Sequence, residues 1–160
     1  MLSDGKEEAQ LRGRVVVIGV GNEFRRDDGA GPRLVAGLRQ RAPADVDFRV
    51  SDGDPAGIIE AWDGATLAIV VDAVRIDPTA PGRLYRLILD RDRPVPDSAV
   101  SSHGLGLGEA IGLAQVLGRM PARLIVHAVE AGDVGLGTGL TPPVAAATAR
   151  LAAAVLRDLA

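Results

Sequence analysis

Three short polar clusters hold the side chains best suited to chemistry: Asp27-Asp28, Asp72, and Ser101-Ser102-His103. They are far apart in the chain, so they make a site only if the fold gathers them. Two carboxylates and one imidazole are borderline-hard ligands. They can hold a divalent transition ion such as zinc or nickel and leave positions open for water or substrate, the arrangement a metal-assisted hydrolase needs. The chain has no cysteine. Disulfides, thiolate nucleophiles and zinc-cysteine sites are therefore excluded, and any metal must be met by oxygen and imidazole. There is no Gly-x-Ser-x-Gly elbow, no Walker loop and no His-Glu-x-x-His motif, which sets aside the commonest serine hydrolase, nucleotide hydrolase and zinc protease signatures.

Each candidate also has a purely structural reading. Asp28 stands just ahead of a predicted helix, where a carboxylate accepts orphan N–H groups and suits the helix dipole; on position alone, capping outranks ligation. Asp72 closes an apolar run, where aspartate can start a turn, yet burying a carboxylate there costs several kcal/mol unless it is paired or metal-bound. Those two readings balance. His103 lies in a loop, a position that favours function, whereas His127 sits inside an apolar strand and reads as a satisfied core residue. Asn22 and Asp27 read equally as hydrogen-bonding supports for the Asp28 loop and as turn formers. Gly19-x-Gly21 offers a rival from another class: a non-catalytic nucleotide or small-ligand binding module, with Asp52 standing in for a ribose-binding acid. This rival is weaker, because Phe24 occupies the place of a third glycine and Glu23, Asp27 and Asp28 would repel a pyrophosphate.

The elements that must position these residues alternate between strand and helix. Residues 14–21 and 66–71 are β-branched apolar runs, too short for helices and apolar on both faces, as central strands of a parallel sheet must be. Residues 46–51 and 123–129 read as further strands, and 83–89 as an edge strand of undetermined direction. Helices are predicted over 29–41, where Leu34, Val35 and Leu38 share a face, over 55–62, over 104–118, and from Pro142 onward with Thr141 as the cap. Residues 90–97, with two prolines and five charges, read as an exposed connection. The expected architecture is α/β: a three-layer α/β/α domain with a mostly parallel twisted sheet of about five strands. It spans residues 14–160, behind a flexible segment 1–13. In such sheets ligands sit beyond the carboxyl ends of the strands, the edge on which all three polar clusters fall.

With 160 residues, 47% hydrophobic and 24% charged, the chain has ordinary globular composition, which excludes bulk disorder. Its net charge is −3 and no Lys/Arg cluster stands out, so nucleic acid is not an expected partner. Residues 1–10 are too charged for a secretory signal. The apolar tail is broken by Arg150, Arg157 and Asp158, well short of the ~20 residues that span a bilayer, so no membrane association and a cytoplasmic location are expected.

Gly19-Val-Gly-Asn22 followed by Asp27-Asp-Gly29 resembles the opening signature of the hydrogenase maturation endopeptidases, which process nickel-iron hydrogenase large subunits. Gly53-Asp-Pro-Ala-Gly57, Asp72-Ala73, Ser102-His103-x-Leu-Gly-Leu107 and Gly135-x-Gly-x-Gly-Leu-Thr-Pro142 resemble the family's later motifs in order, over nearly all of the chain from Val15 to Leu159. The resemblance implies an endopeptidase that removes a C-terminal extension from the large-subunit precursor after nickel insertion. It places Asp28, Asp72 and His103 at the family's catalytic and metal-contacting positions. It implies nickel carried by the precursor and not resident in the free enzyme, with another divalent metal able to fill the site in isolation. Common members have Glu where Asp28 stands, so the shorter side chain demands a closer loop. Asp72→Asn and His103→Ala are expected to end processing with little change in melting temperature, both residues being placed outside the core.

Overall fold

A computed structural model of the chain describes residues 13–93 and 105–160. Five strands form one sheet: β1 (Val15–Val20), β2 (Asp47–Ser51), β3 (Leu67–Val74), β4 (Leu84–Asp90) and β5 (Arg123–Glu130), in the order β2-β1-β3-β5-β4. The helices are α1 (Ala30–Leu38), α2 (Pro55–Trp62), α3 (Leu105–Leu117) and α4 (Pro142–Leu159). β2, β1, β3 and β5 run parallel, and β4 closes the edge antiparallel to β5. This is the expected three-layer α/β arrangement, and it gives β4 the direction that its mixed pattern left open.

Alternate residues of each central strand serve opposite layers. Val16, Ile18 and Val20 pack with Ile58 and Trp62 of α2 and with Leu107 and Ile111 of α3. Val17, Ile69 and Val71 pack with Leu34 and Val35 of α1 and with Val144, Leu151 and Val155 of α4. Each such side chain contributes ~1.5–3 kcal/mol on burial, so β1 and β3, covered on both sides, are firmly held. From β1 the chain passes through α1 to β2 on one side, while β3 lies on the other. The crevice between the carboxyl ends of β1 and β3 is therefore where such a sheet takes ligands.

Two boundaries differ from expectation. β3 runs on to Val74 because its ladder with β5 continues through Asp72↔Ala128, Ala73↔Val129 and Val74↔Glu130. Asp72 is thus a strand residue, and the turn-starting reading falls. α1 stops at Leu38, and the N–H groups of Arg41 and Ala42 turn back onto its carbonyl. Residues 1–12 of the predicted leading segment, residues 94–97 of the predicted connection, and Ser101, Ser102 and His103 lie outside the described residues. Among the described residues no helix is long and apolar enough to cross a membrane.

Candidate active site

β1 delivers the chain to the carboxyl edge, and Gly21 lets it fold back there. Gly21 has φ +140°, and a Cβ at this position would lie 1.8 Å from the Asp28 carbonyl oxygen. Only glycine admits that approach. The 3-10 turn over Arg26–Gly29 is thereby laid across the end of β1 with Asp28 in it. The Asp28 carboxylate accepts the Asn22 N–H at 2.9 Å. It does not cap α1: the N-cap position belongs to Gly29, and no side chain bonds there. Asn22 in turn closes its own turn by accepting the Phe24 N–H.

Asp72 comes to the same place from β3. Its side chain is only 9% exposed, which corrects the expectation that it lies outside the core: the ladder carries it inward with the strand. Burial, reinforced by the negative charge of Asp28, pushes its carboxyl up to about 7, and the Ala73 N–H only partly offsets this. The fold therefore brings together Asp28 and Asp72, two acids widely separated in sequence. Asp72 holds a proton readily near neutral pH and gives it up if a cation joins the two acids. Among the described residues no third acidic or histidine side chain completes a metal-holding set. His103, outside the described residues, stands two positions ahead of α3. The start of that helix is pressed onto the loop after β2 at this same edge, where a Cβ on Gly106 would lie 2.3 Å from the Gly53 carbonyl oxygen.

Asp27, adjacent to Asp28, has a different task. It is fully buried and accepts four hydrogen bonds: from the N–H of Gly132 at 2.8 Å, Asp133 at 3.0 Å and Thr141 at 2.7 Å, and from the Thr141 hydroxyl at 2.8 Å. Burial opposes its ionisation, but these donors outweigh it and hold the carboxyl below its ordinary range. All four come from the segment between β5 and α4, so Asp27 latches that segment to the turn bearing Asp28. The backbone continues the seam, with the Gly137 N–H on the Phe24 carbonyl and the Arg26 N–H on the Gly137 carbonyl. Arg26, at φ +47°, is the one non-glycine residue with positive φ among those described. It turns the chain into the 3-10 segment at a cost of order 1–3 kcal/mol that the latch sustains.

The other polar residues settle into structural roles. His127 is buried, and its Nε2 lies 2.6 Å from Asp158, which also binds Arg86 at 2.6 Å. It sits opposite Val71, on the face away from Asp72, and burial, only partly opposed by Asp158, pushes its imidazole down. It is the satisfied core histidine that its strand position predicts. Glu130, absent from the sequence reading of the site, is also buried and accepts the Tyr85 hydroxyl and the Ala80 N–H. An acid ending an apolar strand was its only signal. The nucleotide-binding reading of Gly19-x-Gly21 fails here. The Gly21 N–H is given to the Ser51 carbonyl and the Asn22 N–H to Asp28, so a carboxylate stands where a phosphate would need donors. Asp52 is engaged in a local turn with the Asp54 N–H.

Comparisons with known proteins point to one family. The sequence model of one family, described as hydrogenase maturation protease, matches residues 33–158. That span includes Asp72 and His103 and begins just after Asp28. The hydrogenase 2 maturation protease of Escherichia coli (strain K12) is 33% identical over 138 residues, covering 83% of this chain and 82% of the relative. Among solved structures, the solution structure of an endopeptidase from Escherichia coli superposes with a TM-score of 0.77 at 26% identity over 91% of each chain. The hydrogenase 2 maturation peptidase from Thaumarchaeota archaeon SCGC_AB-539-E09 does so with a TM-score of 0.69 at 30% identity, over 91% of this chain and 97% of that one.

Proposed function

Because this chain belongs to the hydrogenase maturation protease family, we propose that it removes the C-terminal extension of a nickel-iron hydrogenase large-subunit precursor, and that it recognises the nickel already inserted there. The observation that carries this reading is the pairing of Asp28 with Asp72. A buried carboxyl raised to about 7 by desolvation and by a facing acid is a site short of positive charge, and a cation brought by the substrate supplies it.

In this reading Asp28 and Asp72 hold the precursor's nickel as carboxylates, and the His103 imidazole is the third ligand. Held by these residues, nickel would supply Lewis-acid chemistry, able to polarise the scissile carbonyl or to lower the pKa of an attacking water. Asp72 gives up its carboxyl proton as the nickel arrives. A precursor lacking nickel leaves the two acids as they stand, uncompensated, and is rejected by that difference. The Asn22 N–H orients Asp28, and the Asp27 latch keeps the turn that carries it in place. The absence of cysteine suits a reducing compartment, and the cytoplasm is the place proposed for this step.

The test is incubation with nickel-loaded and nickel-free precursor, followed by mass spectrometry of the large subunit. Wild-type enzyme shortens only the loaded form, and Asp72→Asn and His103→Ala shorten neither. Equal cleavage of the nickel-free form removes the metal from recognition, and full activity of Asp72→Asn removes the acid pair from the site.

A further inference from the structure

We propose that the groove between α1 and α4 docks an acidic amphipathic helix of the precursor; the identity of this occupant rests on the peptidase reading above. The groove encloses about 550 Å³. Leu34, Leu38, Leu140 and Ala149 line it together with Arg33 and Arg41; the two α1 leucines are buried, and the apolar surface open to a partner is that of Leu140 and Ala149. Both arginines are exposed, and neither has an ion-pair partner among the described residues. α1 contains no acidic residue, and the one in α4, Asp158, is taken by Arg86 and His127. A cationic rim around an apolar floor, in a chain of net charge −3, selects an occupant that is apolar on one side and anionic along its edges.

The spacing fits a helix. Past the end of α1 the chain closes one more turn, with the N–H groups of Arg41 and Ala42 on the Leu38 carbonyl, so Arg33 and Arg41 stand roughly 12 Å apart. Carboxylates two turns apart on an incoming helix meet both guanidiniums, while its apolar stripe lies on Leu140 and the small Ala149 lets its backbone come close. The groove also leads toward the acid pair. Leu140 precedes Thr141, which Asp27 holds, and Arg33 lies about one turn beyond the 3-10 turn carrying Asp28. Contacts remote from the reacting bond are where a peptidase acting on a folded protein gains the binding that orients its substrate.

The test compares wild type, Arg33→Glu/Arg41→Glu and Arg33→Lys/Arg41→Lys on nickel-loaded precursor, with kcat and KM measured at low and high salt. Charge reversal is expected to raise KM about tenfold, leave kcat within about twofold and remove most of the salt dependence. The lysine pair stays near wild type. Ala149→Trp, which fills the exposed floor without altering charge, raises KM as well. If wild type cleaves the precursor and both the charge-reversed and tryptophan variants match its KM, the docking proposal is overturned and the peptidase reading stands. If wild type leaves loaded precursor intact, that reading fails and the proposal falls with it.

Discussion

Asp27 and Asp72 are both aspartates buried at the carboxyl edge of one sheet, and their surroundings drive their acidities in opposite directions. Asp27 receives four donors from the segment between β5 and α4 and stays ionised. Asp72 is buried within reach of the Asp28 charge, receives one N–H and holds its proton to about pH 7. The difference separates a structural acid from a functional one. A buried carboxylate whose hydrogen bonds are complete has nothing left to offer a ligand, whereas one left in deficit binds whatever supplies charge.

The two acids give opposite pH signatures. The folded pKa of Asp27 is depressed, so its stabilisation is present above the unfolded carboxylate pKa and is lost as pH falls through the folded value. The folded pKa of Asp72 is raised, so stability is fully present below the unfolded value and is lost as pH rises toward about 7. The largest expected effect is that of Asp27→Ala. It strands three N–H groups that a fully buried carboxylate now satisfies and opens the seam, lowering stability by roughly 3–5 kcal/mol in urea unfolding at neutral pH. A loss near zero would show that water satisfies the seam equally well. Next comes Asp72→Asn, which raises stability at pH 8 by on the order of 3 kcal/mol and changes it little at pH 4, while abolishing processing. Parallel unfolding curves for wild type and variant across that range would place Asp72 with the ordinary surface acids. The smallest is Thr141→Val, which keeps the backbone N–H to Asp27 and removes the hydroxyl, costing about 1 kcal/mol; Thr141→Ser restores it.

Much of the scaffold was legible because two-sided burial leaves β1, and β3 as far as Val71, without polar residues, and because the helix predicted over 55–62 is α2. That helix spans Pro55–Trp62, and the Asp54 carboxylate caps it by accepting the Gly57 N–H. What escaped depends on partners far along the chain. Asp72 looked like a strand end because an acid interrupts the apolar run, but the strand's length is decided by its ladder with β5. Thr141 stands at the N-cap position of α4 as its sequence suggests, yet its hydroxyl goes to Asp27 and makes no cap bond. Asp28 lost its expected capping role in the same way, to the Asn22 N–H. Asp27 read as a turn former or a loop support, and its donors lie more than 100 residues downstream, where no local pattern points to them.

The coupling of Asp28 to Asp72 is open to direct measurement by carbon-detected NMR titration of the Asp72 side-chain carboxyl, in wild type and in Asp28→Asn. The account predicts a midpoint near 7 in wild type, displaced toward lower pH once the facing charge is removed. A wild-type midpoint in the ordinary carboxylate range, unmoved by Asp28→Asn, would contradict it.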